Sequence, residues 1–368
     1  MFDALLALCA RAQSHPAMRE RLLTQAQRYA CWNTLLERAE SVGLAPLAFE
    51  HLQATGITIP EDSRNALLAL TIRHRRANRI RGSVLAELLS AFQDQGIRAL
   101  ALKGVALANT VYPRPGLRPM RDMDILVREQ DARPAQAKLL DLGFVPEHER
   151  TGPEEPQHHL PPVQREQDGL LVSVEVHKKL LPYAVGSPSF EALSAGAISF
   201  SMNGQPAQTL RHEHMLWHIY RHAFGPPLID QPIRLIWVAD FVSLVEKYLD
   251  EIDWAEVKHS YPEVWNILPV FHFLTPWSDK TLETLEIQVD RPPKGVGRTF
   301  HGWPQSSLAV QRQKGRRRFL LDTFWPSEWW TQLYYGVSRP SLRWWWTRLV
   351  GHPLHIAGWL LQYQRTRK

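Results

Sequence analysis

Two short segments in which acidic and apolar side chains alternate, DMDILV at 122–127 and LLVSVEVHKKL at 170–180, interrupt a chain that otherwise reads largely as helix. Successive side chains of a strand point to opposite faces. Asp122 and Asp124 therefore leave the first strand together, and Met123, Ile125 and Val127 leave it on the other side. In the second segment Leu170, Val172, Val174 and Val176 form the apolar row, while Ser173, Glu175 and His177 point the other way. Such strands require a sheet with a core face and an acidic face. Two carboxylates held that close repel unless a cation lies between them. Mg²⁺ (or Mn²⁺) is the natural occupant, a hard ion that takes oxygen ligands and keeps positions open for substrate phosphates. With the two strands side by side, Glu175 becomes a third acid. Three acids suffice for two metals about 3.5–4 Å apart that clamp a phosphoryl group. The plain alternative for any D-x-D pair is a wet sheet face.

The rest of the chain frames these strands. Residues 1–93 carry helical spacing, as in Leu85, Leu88, Leu89 and Phe92, with Gly96 placed to end that helix. The basic run from Arg73 to Arg81 reads as a solvated helix face. At Ile97 the texture changes: IRALALKG is a short apolar strand, YPRPGLRPMR is a loop, and residues 131–142 form an amphipathic helix closed by Gly143. From about 205 onward helices return, in HEHMLWHIYRHAF and PIRLIWVADFVSLVEKYL. The expected division is a helical region at 1–93, a small α/β core at 94–204 and a helical region at 205–368.

Composition narrows the class. Hydrophobic residues make up 44% and charged residues 22%, which allows a packed core and argues against wholesale disorder. Two cysteines, Cys9 and Cys31, cannot form a disulfide framework or a four-thiolate zinc site, so a reducing compartment is expected. MFDALLALCARAQ lacks the basic start of a secretory signal, and no apolar run approaches the roughly 18 residues of a membrane span. A cytoplasmic protein is expected. The net charge of +6 favours anionic partners such as nucleotides, nucleic acid or an anionic membrane surface.

Basic groups gather near the acids. Lys103-Gly104 closes the strand upstream, where an ammonium and backbone amides can meet phosphate. Arg118 and Arg121 arrive just before Asp122 and can neutralise phosphate charge. The stretch LKGVALANTVYPRPGLRPMRDMDILV resembles the uncharacterised bacterial nucleotidyltransferase family of the DNA polymerase β-like superfamily, whose members read "lKG-ala--vYp-pg-Rp--DiDlLV" and later "vElHw". Here the later strand is Val174-Glu175-Val176-His177, followed by Lys178. PIRLIWVADFVSLVE is similar to the family's "lrW-lDla" helix at Trp237 and Asp240. The resemblance implies an α+β fold: a polymerase β-like core, a small mixed sheet with helices, flanked by helical N- and C-terminal regions. It also implies a metal-dependent transfer of a nucleoside monophosphate from an NTP to an acceptor. Asp122 and Asp124 become metal ligands, Glu175 the third acid, Gly104 the glycine of the phosphate turn, and Lys103, Arg118 and Arg121 the substrate-binding bases. Two departures stand out. Val105 occupies the usual serine position, and Gly104 lies further from Asp122 than the superfamily spacing. Both support an alternative: a catalytically weak or inactive binding protein in a biosynthetic assembly, such as one for surface polysaccharide. A toxin-like enzyme modifying tRNA or protein is a further alternative, supported by the basic clusters.

His212, His214, His218 and His222 suit helix packing or substrate contact better than a zinc site, since no HExxH is present. His158-His159 sits in a Pro-rich stretch that reads as surface loop, or as a lid over the site. Asp240 reads as a buried anchor, with Arg234 or a histidine as its expected partner. Seven of the fourteen tryptophans lie at or after Trp325, among arginines that include Arg312, Arg316, Arg343 and Arg348. That tail reads as a helical cap on the core, as an amphipathic face for an anionic membrane at the cytoplasmic side, or as a stacking surface for nucleic acid.

Overall fold

In a computed structural model, the protein is described over residues 3–147, 158–181, 187–225, 233–289, 291–298, 300, 302–303, 315–339 and 341–366. Most of the Pro-rich stretch after Glu147, and Arg312 and Lys314 of the tail, lie outside the described residues.

Five helices come first: α1 (Ala4–Leu8), α2 (Pro16–Gln27), α3 (Trp32–Ser41), α4 (Ala45–Ala54) and α5 (Glu61–Asp94). Glu61 and Asp62 face the positive end of α5, and the chain turns away at Gly96, whose φ is 69°. The sheet then begins with β1 (Ala99–Ala101), followed by α6 (Lys103–Thr110), β2 (Asp122–Val127), α7 (Ala132–Asp141), β3 (Val145–Pro146), β4 (Val163–Gln167), β5 (Leu170–His177), α8 (Phe190–Ala195), β6 (Ile198–Met202) and β7 (Gln205–Thr209). The strand order is β3-β4-β5-β2-β1-β7-β6. β2 pairs parallel with β5 and β1 parallel with β7, while the other neighbours are antiparallel. This is the expected α+β architecture with a mixed sheet. The sheet is larger than the three expected strands, and its last strand occupies 205–209, where helix was anticipated. Two hairpins account for much of the difference. Asp168-Gly169 and Asn203-Gly204 all carry positive φ, the backbone that tight two-residue turns between twisted strands require.

Alternation builds the sheet as the sequence dictates. Met123, Ile125, Val127, Val172, Val174 and Val176 are all buried, and α5 and α7 pack against β5. The opposite face carries the acids. The proline-rich loop before β2 is held firmly. Leu117 and Met120 are buried, and Asn78 of α5 donates to the carbonyls of Pro115 (2.6 Å) and Arg118 (2.8 Å). The basic run on α5 divides accordingly. Arg73, Arg75, Arg76 and Arg79 are exposed, but Arg81 is buried and donates to the Arg121 carbonyl, so the run is not wholly a solvated face.

Helices complete the molecule: α9 (His212–Ala223), α10 (Leu235–Lys247), α11 (Trp254–Ser260), α12 (Pro262–Phe271), α13 (Asp279–Thr284), α14 (Arg316–Phe324), α15 (Glu328–Tyr335), α16 (Leu342–Trp346) and α17 (His352–Thr366). A π-helical stretch, Thr347–Gly351, joins α16 to α17. Among the described residues no helix is long and apolar enough to cross a membrane.

Burial holds several histidines neutral. It pushes His51, His214, His218, His222 and His352 below their ordinary value, His214 and His352 to about 4. Unfolded histidines titrate near about 6.5. Between that pH and about 4 the unfolded chain therefore binds more protons, and stability falls as pH is lowered through the window. Urea midpoints measured at pH 7.5, 6 and 5 should fall in that order, and a flat profile would contradict the buried neutral assignment.

Candidate active site

The parallel register of β2 and β5 sets Asp124 opposite Glu175 and Asp122 opposite Ser173. All lie on the polar face of the sheet. Asp122 is exposed at the start of its strand, Glu175 is half-buried, and Asp124 is only 4% exposed. A carboxylate buried that deeply needs partners, and Asp124 has two. Lys103 Nζ lies 3.0 Å from its Oδ1, and His177 Nε2 lies 2.8 Å from the same oxygen. His177 Nε2 also lies 3.4 Å from Glu175 Oε2.

These contacts set the charges. Burial alone would raise the Asp124 carboxyl, but the Lys103 ammonium and the His177 hydrogen bond hold it well below the usual carboxylate range. Burial also works against ionisation of Glu175, and the His177 hydrogen bond brings it below its ordinary value. Burial would lower His177, yet its bonds to Asp124 and Glu175 keep it raised. Asp122 moves the other way: its side chain reaches solvent at the mouth, but the protein walls crowded around it and the charge of Asp124 push its carboxyl up. The site is thus an alternating cluster of acids and bases.

Backbone geometry places Lys103. It stands at φ 39°, a left-handed conformation that a residue with a Cβ adopts at a cost of about 1 kcal/mol. Leu102 just before it donates its N–H to the Asp124 carbonyl, so the turn is tied directly to β2. Gly104 follows it in the first turn of α6. A Cβ there would run into Arg118 Nη1, so this glycine is required by packing beneath an arginine. Val105 is buried, filling the core from the position where the superfamily has serine.

Arg118 departs from the expected free phosphate ligand. Its Nε and Nη2 donate to Asp240 Oδ1 (3.0 Å) and Oδ2 (2.7 Å), both residues buried, and Tyr112 donates its hydroxyl to the same Oδ1 at 2.8 Å. Bidentate pairing of this kind is both strong and directional. Asp240 is therefore the anchor the sequence suggested, with Arg118 rather than Arg234 or a histidine as partner. The pair locks α10 to the loop that delivers Asp122. Arg121 is exposed at the mouth.

A cavity of about 400 Å³ opens above the acids. Lys103, Arg121, Asp122, Asp124 and Glu175 line one side. His218, Arg221, His222, Arg234 and Trp237, from α9, α10 and the residue before α10, line the other. His158 and His159 also reach it, with ring centroids 5.1 and 5.3 Å from that of His177. Main-chain hydrogen bonds from Leu160 to Val176 and from Lys178 to His158 fix this pair over the end of β5, so it is more than a plain surface loop. Burial and the neighbouring His177 lower His158 to about 3. Of the four histidines on α9, His218 and His222 face the cavity, whereas His212 stacks on Tyr248 and His214 accepts from Arg211. Neither ring nitrogen of buried His218 has a hydrogen-bond partner among the described residues.

The donor set is one that can hold a metal ion. Ligand atoms of Asp124, Glu175 and His177 all lie within 4.8 Å of one another, and Asp122 is two residues from Asp124 on the same strand face. His177 is the member that sequence reasoning left outside the site. Its place two residues after Glu175, on the same strand face, was the available signal.

Residues 29–274, more than half of the chain, match the model of a family described as uncharacterised nucleotidyltransferase, and the chain belongs to that family. The matched stretch includes every strand of the sheet, with the acids of its polar face and Lys103. Among solved structures, the chain is 13% identical to an antigenic nucleotidyltransferase-like protein from Paracoccidioides brasiliensis, over 58% of this chain and 94% of that one, with a TM-score of 0.35. It is 14% identical to ANT(2″)-Ia in complex with adenylyl-2″-tobramycin, over 50% and 95% of the two chains, with a TM-score of 0.34. The comparison with curated proteins gave no match.

Two substitutions probe this arrangement. Asp240→Ala leaves Arg118 buried without its counter-charge and should lower unfolding stability by about 3–5 kcal/mol, read from urea denaturation. His177→Gln removes a basic nitrogen from the cation cluster. It should weaken Mn²⁺ binding, followed by calorimetry, by about 10–100-fold while the urea midpoint moves far less. Unchanged Mn²⁺ affinity would show that His177 is not among the groups that hold the cation.

Proposed function

We propose that the protein is a metal-dependent nucleotidyltransferase that moves a nucleoside monophosphate from an NTP to the oxygen of an acceptor, a hydroxyl or a phosphate, and releases pyrophosphate. The observation that carries this reading is the parallel register that sets Asp124 against Glu175, with Asp122 on the same sheet face and Lys103 against Asp124. In this reading Asp122, Asp124 and Glu175 hold Mg²⁺ or Mn²⁺. When bound, the ion neutralises the triphosphate and sharpens the acceptor oxygen as a nucleophile.

The chain's own groups do the remainder. Lys103 and Arg121 bind phosphate oxygens from the acid side of the cavity. Arg234 and Arg221 lie on the facing wall, where guanidinium forks suit phosphate. They take the part first given to Arg118, which acts here as a positioning residue through Asp240. His218, buried with both ring nitrogens unpartnered, supplies a hydrogen bond to the bound substrate. Glu175 is held ionised by His177 and is the group placed to take the acceptor's proton. Trp237 and Leu180 give the same cavity apolar surface for a base or sugar. Rate enhancement then comes from positioning and from charge placed in advance. Val105 does not rule this out, because the phosphate contacts are shared among bases on both walls. Cys9 is buried and Cys31 exposed, both free, which suits a reducing compartment, and we place the enzyme in the cytoplasm.

Incubation with each α-labelled NTP, Mg²⁺ or Mn²⁺ and a panel of acceptors tests the reading. Label should pass to an acceptor, and Asp124→Asn should slow transfer by about 10²-fold or more at unchanged fold. If NTPs bind, unaffected by Asp124→Asn, and no label is transferred to any acceptor, the chain is instead a nucleotide-binding protein that has lost turnover.

A further inference from the structure

The tryptophan-rich tail has two apolar faces, and among the described residues only one of them is covered. From Leu342 to Leu361 the chain is continuously helical, a rod of roughly 30 Å. Its inner stripe, Trp344, Thr347, His352 and Ile356, is buried. His352 there accepts from the Tyr335 hydroxyl at 2.7 Å and meets the Thr323 carbonyl at 2.6 Å. That face is the expected cap on the body.

The outer stripe follows the same helical period displaced around the rod, at positions 342, 345, 346, 349, 350 and 354. Every one of these residues is apolar and exposed, Leu342 at 91%, Leu354 at 63% and Leu349 at 56%. α14 packs beside α17 and adds exposed Leu320, Leu321 and Phe324. An apolar patch this continuous marks an interaction surface.

The charges identify what it meets. The last forty residues, 329–368, contain six Arg or Lys and no Asp or Glu. Arg343 is exposed on the rod, and Arg316, Arg317 and Arg318 are exposed at the start of α14. Arg348 is buried and Arg339 pairs with Glu328, so the exposed charge beside the apolar face is that of Arg343 and of Arg316, Arg317 and Arg318. An apolar face with exposed arginines beside it is the composition of a helix lying in the plane of an anionic bilayer. No described helix can span one, so the contact is peripheral. We propose that the outer face of 342–361, with the exposed face of α14, docks the protein on an anionic lipid surface. This inference does not rest on the catalytic reading, since it involves none of the cavity residues.

Flotation of the full chain with vesicles of phosphatidylcholine alone, and with added phosphatidylglycerol, tests it. The protein should float with the anionic vesicles and much less with neutral ones, and high salt should release part of it. Leu349→Glu and Trp346→Glu place a charge on the outer face and should each reduce bound protein by about tenfold or more. Nucleotide binding and the circular dichroism of both variants should match the parent, since both side chains point away from the body. Absence of flotation, or equal flotation with both vesicle types, would overturn the proposal. So would a mass of two chains in lipid-free solution that falls to one in Leu349→Glu, which would assign the face to a second copy of the chain.

Discussion

Asp124 is the charge on which the polar side of the sheet depends. It is nearly inaccessible to solvent, and a lone buried carboxylate would be strongly unfavourable. Lys103 and His177 both compensate it, at the same oxygen, Oδ1. Each of those partners in turn requires something of the chain. Lys103 needs a left-handed turn at the end of β1, and His177 needs β5 to run parallel to β2 in one particular register. A slip of one residue in that register would send Glu175 to the core face and a valine to the site. The acids are held together by the same valines and methionine that make the sheet fold.

The second fixed point is the buried Arg118–Asp240 pair. It joins the loop ahead of β2 to a helix that begins more than a hundred residues later, so the two walls of the cavity share an ion pair. Gly104 belongs to this arrangement as well, because its missing side chain makes room for the guanidinium. Features that resemble a phosphate-binding motif in sequence thus have a packing reason here, and the phosphate-binding groups we assign come partly from the opposite wall.

Period-two alternation made β2 and β5 legible, and with them the shared face of Asp122, Asp124 and Glu175. The 3.6-residue period did the same for α5, α7, α9 and α10. β4, β6 and β7 escaped because VQREQ and QPAQT carry little alternation, and ISFSM, which does alternate, is only five residues long with one β-branched residue. Their clearest marks were the turn dipeptides Asp168-Gly169 and Asn203-Gly204 between them and their neighbours. In the site, His177 looked like one more polar residue after Glu175, and the partner of Asp240 could not be chosen among several arginines. Such long-range pairings depend on where helices land, which no local pattern encodes. The tryptophan-rich tail showed its amphipathic character in sequence. That it is apolar on two sides emerged only when one side was seen to be occupied.

That double-sided helix also bears on how the protein is made. The sheet is complete once Thr209 has been synthesised, and domains fold from the N-terminal side as the chain emerges. The aromatic layer of Trp330, Tyr334 and Tyr335, by contrast, meets His352 and His355 of α17 only when α17 itself has left the ribosome. Until then that layer is open to solvent. α17 arrives with one greasy face to close the body and another still uncovered, so the step that shields the aromatic layer also brings a new adhesive surface to the nascent protein.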